Sequence, residues 1–144
     1  MSESRPRVFL CDIEGTVAPI SLVSEQLFPY ARKHLAQYLN ENVERPDIQQ
    51  DLKLLADENR AEQSIDCPTL GTEIRNELHA RAYLLWLMDQ DRKSTALKSL
   101  QGKIWKSGFE SGQLKGTLFP DVPEAFTRWA AKVKVAIYSS GSVE

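Results

Sequence analysis

Apolar positions along this chain fall into two patterns, short continuous runs near the ends and helical spacing between them. Val8, Phe9, Leu10 and Cys11 are consecutive, follow a polar tail with Pro6, and lead into Asp12, Glu14 and Gly15. Val133 to Tyr138 (VKVAIY) is the second run, entered from a helix expected over Val122 to Ala131 and closed by Ser139, Ser140 and Gly141. Runs of this kind predict strands buried on both faces, as in parallel sheets. Each stops in small polar residues, as where a loop leaves the carboxyl edge of an open α/β sheet.

Between the runs the spacing changes to threes and fours. Leu27, Tyr30, Ala31, His34, Leu35, Tyr38 and Leu39 mark one buried face of a helix over Ser24 to Asn40. Ile48, Leu52, Leu54 and Leu55 do the same for Asp47 to Asp57, with Pro46 where a first helical turn tolerates it. The polar stretch Glu58 to Pro68 breaks the series. A third helix is expected over Thr72 to Asp89, with Thr72 as N-cap and Ile74, Leu78, Ala82, Leu85 and Trp86 along one side. A fourth, over Asp91 to Ser107, contains Leu97, Leu100, Ile104 and Trp105. Gly108, Gly112, Gly116, Pro120 and Pro123 then crowd together as turn or linker signals. The predicted fold class is α/β: a Rossmann-like parallel-sheet core with an inserted helical cap. Residues 1–20 hold the first strand and catalytic loop, 21–117 the cap, and 118–144 a core helix, the second strand and a phosphate-binding loop.

Composition narrows the function. The formal net charge is −2, which argues against a nucleic-acid or membrane-surface partner, since both need excess positive charge. Apolar residues are 42% and charged residues 26%, enough for a real core and far from the balance of disorder. An apolar stretch such as Tyr83 to Met88 is far short of the about 20 residues that span a bilayer, and MSESRPRVFL lacks the apolar core of a secretory signal. A cytoplasmic monomer is expected, with Cys11 and Cys67 as reduced thiols.

The strongest chemical signal is Asp12-Ile13-Glu14-Gly15-Thr16. An aspartate at the carboxyl end of a buried strand lies where such sheets bind ligands, and Gly15 lets the chain turn sharply after it. Asp12 can attack phosphorus, while Glu14 protonates the leaving oxygen and later deprotonates water. Clustered acid oxygens beside a phosphate would repel it, which implies a hard divalent cation such as Mg²⁺ to neutralise them. Hydroxyls and backbone N–H groups at Ser139 and Ser140 suit phosphate oxygens. The bland alternatives are a solvated acidic turn and an ordinary Ser/Gly turn. What favours the chemical reading is that two strands of one sheet bring both motifs to one crevice. Elsewhere, Trp86, Trp105 and Trp129 read as core, His34 and His79 as helix-face residues, Lys93, Lys98, Lys103 and Lys106 as a solvated helix face, and Gly108, Gly112 and Gly116 as turns.

The pair strand-D-x-E-G-T and strand-S-S-G-S resembles the first two motifs of the haloacid-dehalogenase-like phosphohydrolases. FLCDIEGTVAPISLVSEQLFPYARKHL, LKSLQGKIWKSGFESGQLKGTLFPDVPEAF and AIYSSGSVE are together similar to their enolase-phosphatase branch, from Val8 to Glu144. Most of the superfamily has Asp two residues after the nucleophile; Glu14 departs from that and fits the branch. The resemblance implies a Mg²⁺ enzyme that enolises 2,3-diketo-5-methylthiopentyl-1-phosphate and then removes its phosphate, leaving 1,2-dihydroxy-3-keto-5-methylthiopentene. By motif, Asp12 would be nucleophile and metal ligand, Glu14 acid/base and metal-site residue through its side chain or its carbonyl, and Ser139 with Ser140 the phosphate contacts. A cap aromatic would line the pocket for the methylthio group. The family pattern continues with a phosphate-binding Lys and an acidic metal motif, whereas this chain stops at Glu144. The expectation is therefore an incomplete core. Its alternatives are an impaired fragment that acts at most as a binding module, and another small-molecule phosphatase of the same superfamily.

Overall fold

The computed structural model describes residues 7–70 and 77–139, with backbone alone for 77–79. Strand β1 (Val8–Asp12) pairs in parallel with β2 (Lys134–Tyr138), Val8 opposite Lys134 and Asp12 opposite Tyr138. Between them run a π-helical segment (Leu22–Leu27), α1 (Phe28–Asn42), α2 (Pro46–Ala61), α3 (Glu77–Asp89) and α4 (Thr95–Glu110), and α5 (Val122–Ala130) leads into β2. The expected α/β layout, two strands of one sheet flanking a helical block, is what the structure contains.

The core sits in the helical block, not on the sheet. Ala31, Leu35 and Leu39 of α1 meet Ile48, Leu52 and Leu55 of α2, Ala80, Tyr83, Leu84 and Leu87 of α3, and Ala96, Leu97, Leu100 and Ile104 of α4. Each set repeats at three and four, so each helix buries one stripe. Burial pushes the Tyr83 phenol up to about 12, so it stays protonated.

Local chemistry sets the boundaries. Arg45 is extended ahead of Pro46, which opens α2. Helix α3 closes where Asp91 turns left-handed (φ 49°): the Arg92 N–H reaches the Leu87 carbonyl at 2.9 Å and the Asp91 N–H the Met88 carbonyl at 3.2 Å. Ser94 then caps α4 by accepting from the Leu97 N–H at 2.9 Å. Glu58 reaches across from α2 and accepts from the Thr95 and Ala96 N–H groups at 2.9 and 3.2 Å, placing negative charge at the α4 N-terminus.

Several sequence expectations need correction. The helix expected over Ser24 to Asn40 opens as a π-helix, and the Leu27 carbonyl at its junction with α1 accepts from the Trp105 indole at 2.7 Å. Helix α2 runs on through Ala61, into the stretch expected to break it, and Leu54 is exposed. The fourth helix starts at Thr95 because the left-handed Asp91 separates it from α3. Helix α3 buries Ala80, Tyr83, Leu84 and Leu87, while Ala82 is exposed and Leu85 and Trp86 are half-buried. Thr72 and Ile74 lie outside the described residues, as do the side chains of Leu78 and His79. Trp86, Trp105 and Trp129 are half-buried, the first two packed on the core. Gly108 is not in a turn: it is buried within α4, where a Cβ would lie 2.7 Å from the Tyr30 ring, so α1 and α4 touch there only because no side chain intervenes.

The strands differ most from expectation. They were expected to be buried on both faces, yet Val8, Leu10 and Tyr138 on one face are exposed, Leu10 at 66%, and Ile137 on the other is exposed as well. Helix α5 covers the opposite face, where the Phe9 and Trp129 rings lie 5.0 Å apart. Helix α5 packs on β2, and the exposure of Val8, Leu10 and Tyr138 shows that the other face has no comparable cover among the described residues.

Lys103 is also no part of a solvated face. Its ammonium donates to Asp51 Oδ2 and, at 2.9 Å, to Ser99 Oγ, with the Lys103 and Asp51 side chains each 9% exposed. Removing one member of a buried pair strands the other charge. Lys103→Met is expected to lower the unfolding free energy by about 3–5 kcal/mol, and adding Asp51→Leu should recover most of that loss, as read from urea denaturation.

Candidate active site

Asp12 is the last residue of β1 and is exposed at the carboxyl edge of the strand pair. It faces Tyr138 in the register, so Ser139, also exposed, follows directly beside it at the same edge. The two motif-bearing strand ends therefore share one side of the sheet, as a phosphate crevice requires. Ser140 and Gly141 lie outside the described residues.

The loop after Asp12 is tightly built. The Ile13 carbonyl accepts from the N–H groups of Thr16, Val17 and Ala18 at 3.3, 3.0 and 2.9 Å, and the Gly15 N–H donates to the Ala18 carbonyl at 2.7 Å. Glu14 forms a β-bridge with Ala18. Gly15 adopts φ +79°, open to glycine and costly for a residue with a Cβ. Val17 and Ala18 are buried, and the Phe119 N–H donates to the Val17 carbonyl at 3.0 Å, tying the loop to the segment that enters α5. The sequence reading missed this brace. Its signal was the apolar pair directly after Gly15-Thr16, whose burial requires a neighbouring segment.

The carboxylates of Asp12 and Glu14 make no hydrogen bond or ion pair among the described residues, so their oxygens remain available. As hard oxygen donors they suit Mg²⁺ in kind, but two carboxylates supply a minority of its octahedral shell. No group of three or more His, Cys, Asp or Glu positioned for a metal occurs among the described residues. His34 stacks on Tyr30 with ring centroids 4.1 Å apart, a helix-face contact. No described helix is long and apolar enough to cross a membrane.

No family model matches the chain. It is 49% identical over 136 residues to the enolase-phosphatase E1 of Synechococcus elongatus, covering 94% of this chain and 56% of that protein. With the enolase-phosphatase E1 of Drosophila melanogaster it shares 42% identity over 147 residues, 99% of this chain and 56% of that one. Among solved structures, the UTR4 protein of Saccharomyces cerevisiae superposes with a TM-score of 0.67 at 36% identity, over 95% of this chain and 52% of that one. The chain is thus a homologue of proteins named enolase-phosphatase E1 along almost all of its length, and spans about half the length of the curated relatives it matches.

The turn after Asp12 depends on Gly15, where an added Cβ would also lie 3.2 Å from Ile20. Gly15→Ala is expected to cost about 1–2 kcal/mol of stability in urea denaturation and to shift the amide resonances of residues 13–18. An unchanged midpoint together with unchanged resonances would show that the left-handed turn is not required.

Proposed function

We propose that this chain supplies the nucleophile, the acid/base and the first phosphate contacts of an enolase-phosphatase, a haloacid-dehalogenase-like phosphoric monoester hydrolase of methionine salvage. Its substrate would be 2,3-diketo-5-methylthiopentyl-1-phosphate, enolised and then dephosphorylated to 1,2-dihydroxy-3-keto-5-methylthiopentene. The observation that carries the reading is the register of β1 with β2, which sets Asp12 beside Ser139 at one strand edge.

In the phosphatase half-reaction, a carboxylate oxygen of Asp12 attacks phosphorus and the bond from phosphorus to the substrate oxygen breaks. Glu14 gives its proton to that departing oxygen. It then takes a proton from water, which attacks the aspartyl-phosphate, frees inorganic phosphate and restores Asp12. Ser139 and Ser140 hold the phosphate oxygens in line with the attack. Asp12 through its carboxylate and Glu14 through its backbone carbonyl, which leaves the Glu14 carboxyl free for proton transfer, would hold Mg²⁺, which when bound neutralises phosphate charge and polarises the substrate carbonyl for enolisation. With a net charge of −2, the chain draws an anionic substrate by such local groups and not by its overall field. A cytoplasmic, monomeric enzyme acting on a small molecule, with no nucleic-acid or membrane partner, belongs to the same proposal.

The test uses the 144-residue chain, Mg²⁺ and the diketo phosphate, with phosphate release and acid-stable phosphate on protein both measured. Asp12→Asn is expected to lower both at least about a thousandfold while the helical circular dichroism is kept. Release by Asp12→Asn at the unaltered chain's rate would remove Asp12 as nucleophile. An unaltered chain that binds the substrate but neither releases nor traps phosphate would leave it a binding module.

A further inference from the structure

The Asp12 loop meets the helical block through a helix that is not wound regularly. Ser21, Leu27 and Phe28 all hold right-handed helical backbone, with φ of −58°, −67° and −63°, so the turns from Leu22 to Leu27 run without a break into α1. Within them the Phe28 N–H donates to the Val23 carbonyl, five residues back instead of four. Pro29 accounts for the wide turn. In an α-helical register its ring would strike the Glu25 carbonyl, and it has no N–H to offer that carbonyl. The π-turn takes one more residue into the circuit and carries the carbonyl clear, at the cost of a bend.

Contacts on either side give this turn a reach beyond itself. On the side of the helical block, the Trp105 indole of α4 donates to the Leu27 carbonyl at 2.7 Å, and the Trp105 and Phe28 rings stand 6.0 Å apart. On the side of the loop, the Leu22 N–H donates to the Pro19 carbonyl at 3.0 Å, and Ile20 lies 3.2 Å from where a Cβ on Gly15 would sit. Ile20 is therefore the point at which the helix bears on the Gly15 turn, and Glu14 is the next residue along that turn.

A helix interrupted at a proline lacks a ladder hydrogen bond there, so its own backbone fixes the direction of the bend only loosely. An outside contact must fix it. Ile20 precedes Leu27 by seven residues, a lever of about 10 Å, so a change of about 10° in the bend carries Ile20 about 2 Å, enough to take it off Gly15. We infer that Trp105 is a positioning residue of the Asp12 loop: by holding the Leu27 carbonyl from α4, its indole N–H sets the bend that keeps Ile20 on Gly15 and so fixes where Glu14 stands beside Asp12. Its bearing on catalysis rests on the roles proposed above for Asp12 and Glu14, whereas its hold on the loop does not.

The test is a cycle of two substitutions in the isotopically labelled 144-residue chain, read at the backbone amides. Trp105→Phe keeps a ring against Phe28 and removes the donor; it is expected to retain the helical circular dichroism and to shift the amide resonances of residues 13–16 and 22–28. Ile20 is exposed, so Ile20→Ala is expected to fold and to shift residues 13–16 together with its own neighbours. In the Ile20→Ala background, Trp105→Phe is expected to shift residues 22–28 as before and to leave 13–16 where Ile20→Ala put them. A general loss of packing, or a ring-current effect acting through space, would instead shift 13–16 equally in both backgrounds. 3-Benzothienylalanine in place of Trp105 keeps the bicyclic ring, lacks only the N–H and is expected to give the same pattern, which decides the matter if Trp105→Phe does not fold. The inference is overturned if the folded replacement leaves residues 13–16 unshifted, or if their shift is the same with and without Ile20. None of these readings depends on phosphate transfer, so the inference and the roles of Asp12 and Glu14 fail separately.

Discussion

Five residue pairs between β1 and β2 hold the two ends of the chain's chemistry together. Parallel strands cannot be joined by a tight turn, and here the pairing partners stand 126 residues apart. Closing a flexible loop of that length costs on the order of 4 kcal/mol, and a lone two-stranded pair is marginal in water. The helical block removes much of that cost because it is already folded: with its own core in place, its two ends become fixed points and not the termini of a random coil. Energetically the insert supports the sheet, and the sheet in turn fixes Asp12 beside Ser139.

This division explains how the molecule distributes its polar groups. Inside the helical block, long-range electrostatic contacts lock helix to helix. Glu58 of α2 caps α4, Lys103 of α4 is buried against Asp51 of α2, and Glu62 at the end of α2 binds Arg92 at the turn after α3. Accepting from Ser64 first, and facing Arg92, the Glu62 carboxyl is held below its ordinary range, so the contact's contribution is full above that range and is lost as the pH falls through the lowered value. At the strand edge the opposite holds. Among the described residues, the carboxylates of Asp12 and Glu14 have no protein partner, which adds nothing to stability and suits groups that must meet a substrate and a cation.

Element types were legible because they depend on local pattern: the two apolar runs became the paired strands, and the three-and-four spacing became four packed helices. The Asp12 turn was legible for the same reason, since Gly15 does adopt the left-handed backbone that a sharp turn needs. What was hidden depends on distant residues. Lys103 looks like a surface lysine until Asp51, 52 positions away, is placed against it. Gly108 looks like a turn signal until the Tyr30 ring is seen to need its missing Cβ. The face of α3 could not be fixed from a segment as uniformly apolar as Ala82 to Met88, and an apolar strand carries no mark of how many of its faces another element covers.

The central claim is that this chain by itself assembles the β1–β2 pair and so brings Asp12 and Ser139 to one edge. Cross-strand nuclear Overhauser effects in the labelled 144-residue chain test it most directly. The account predicts backbone contacts in the register Phe9 opposite Val135 and Cys11 opposite Ile137. A spectrum in which the helical core gives its full set of contacts while those cross-strand contacts are missing, or are displaced by a residue, would contradict it.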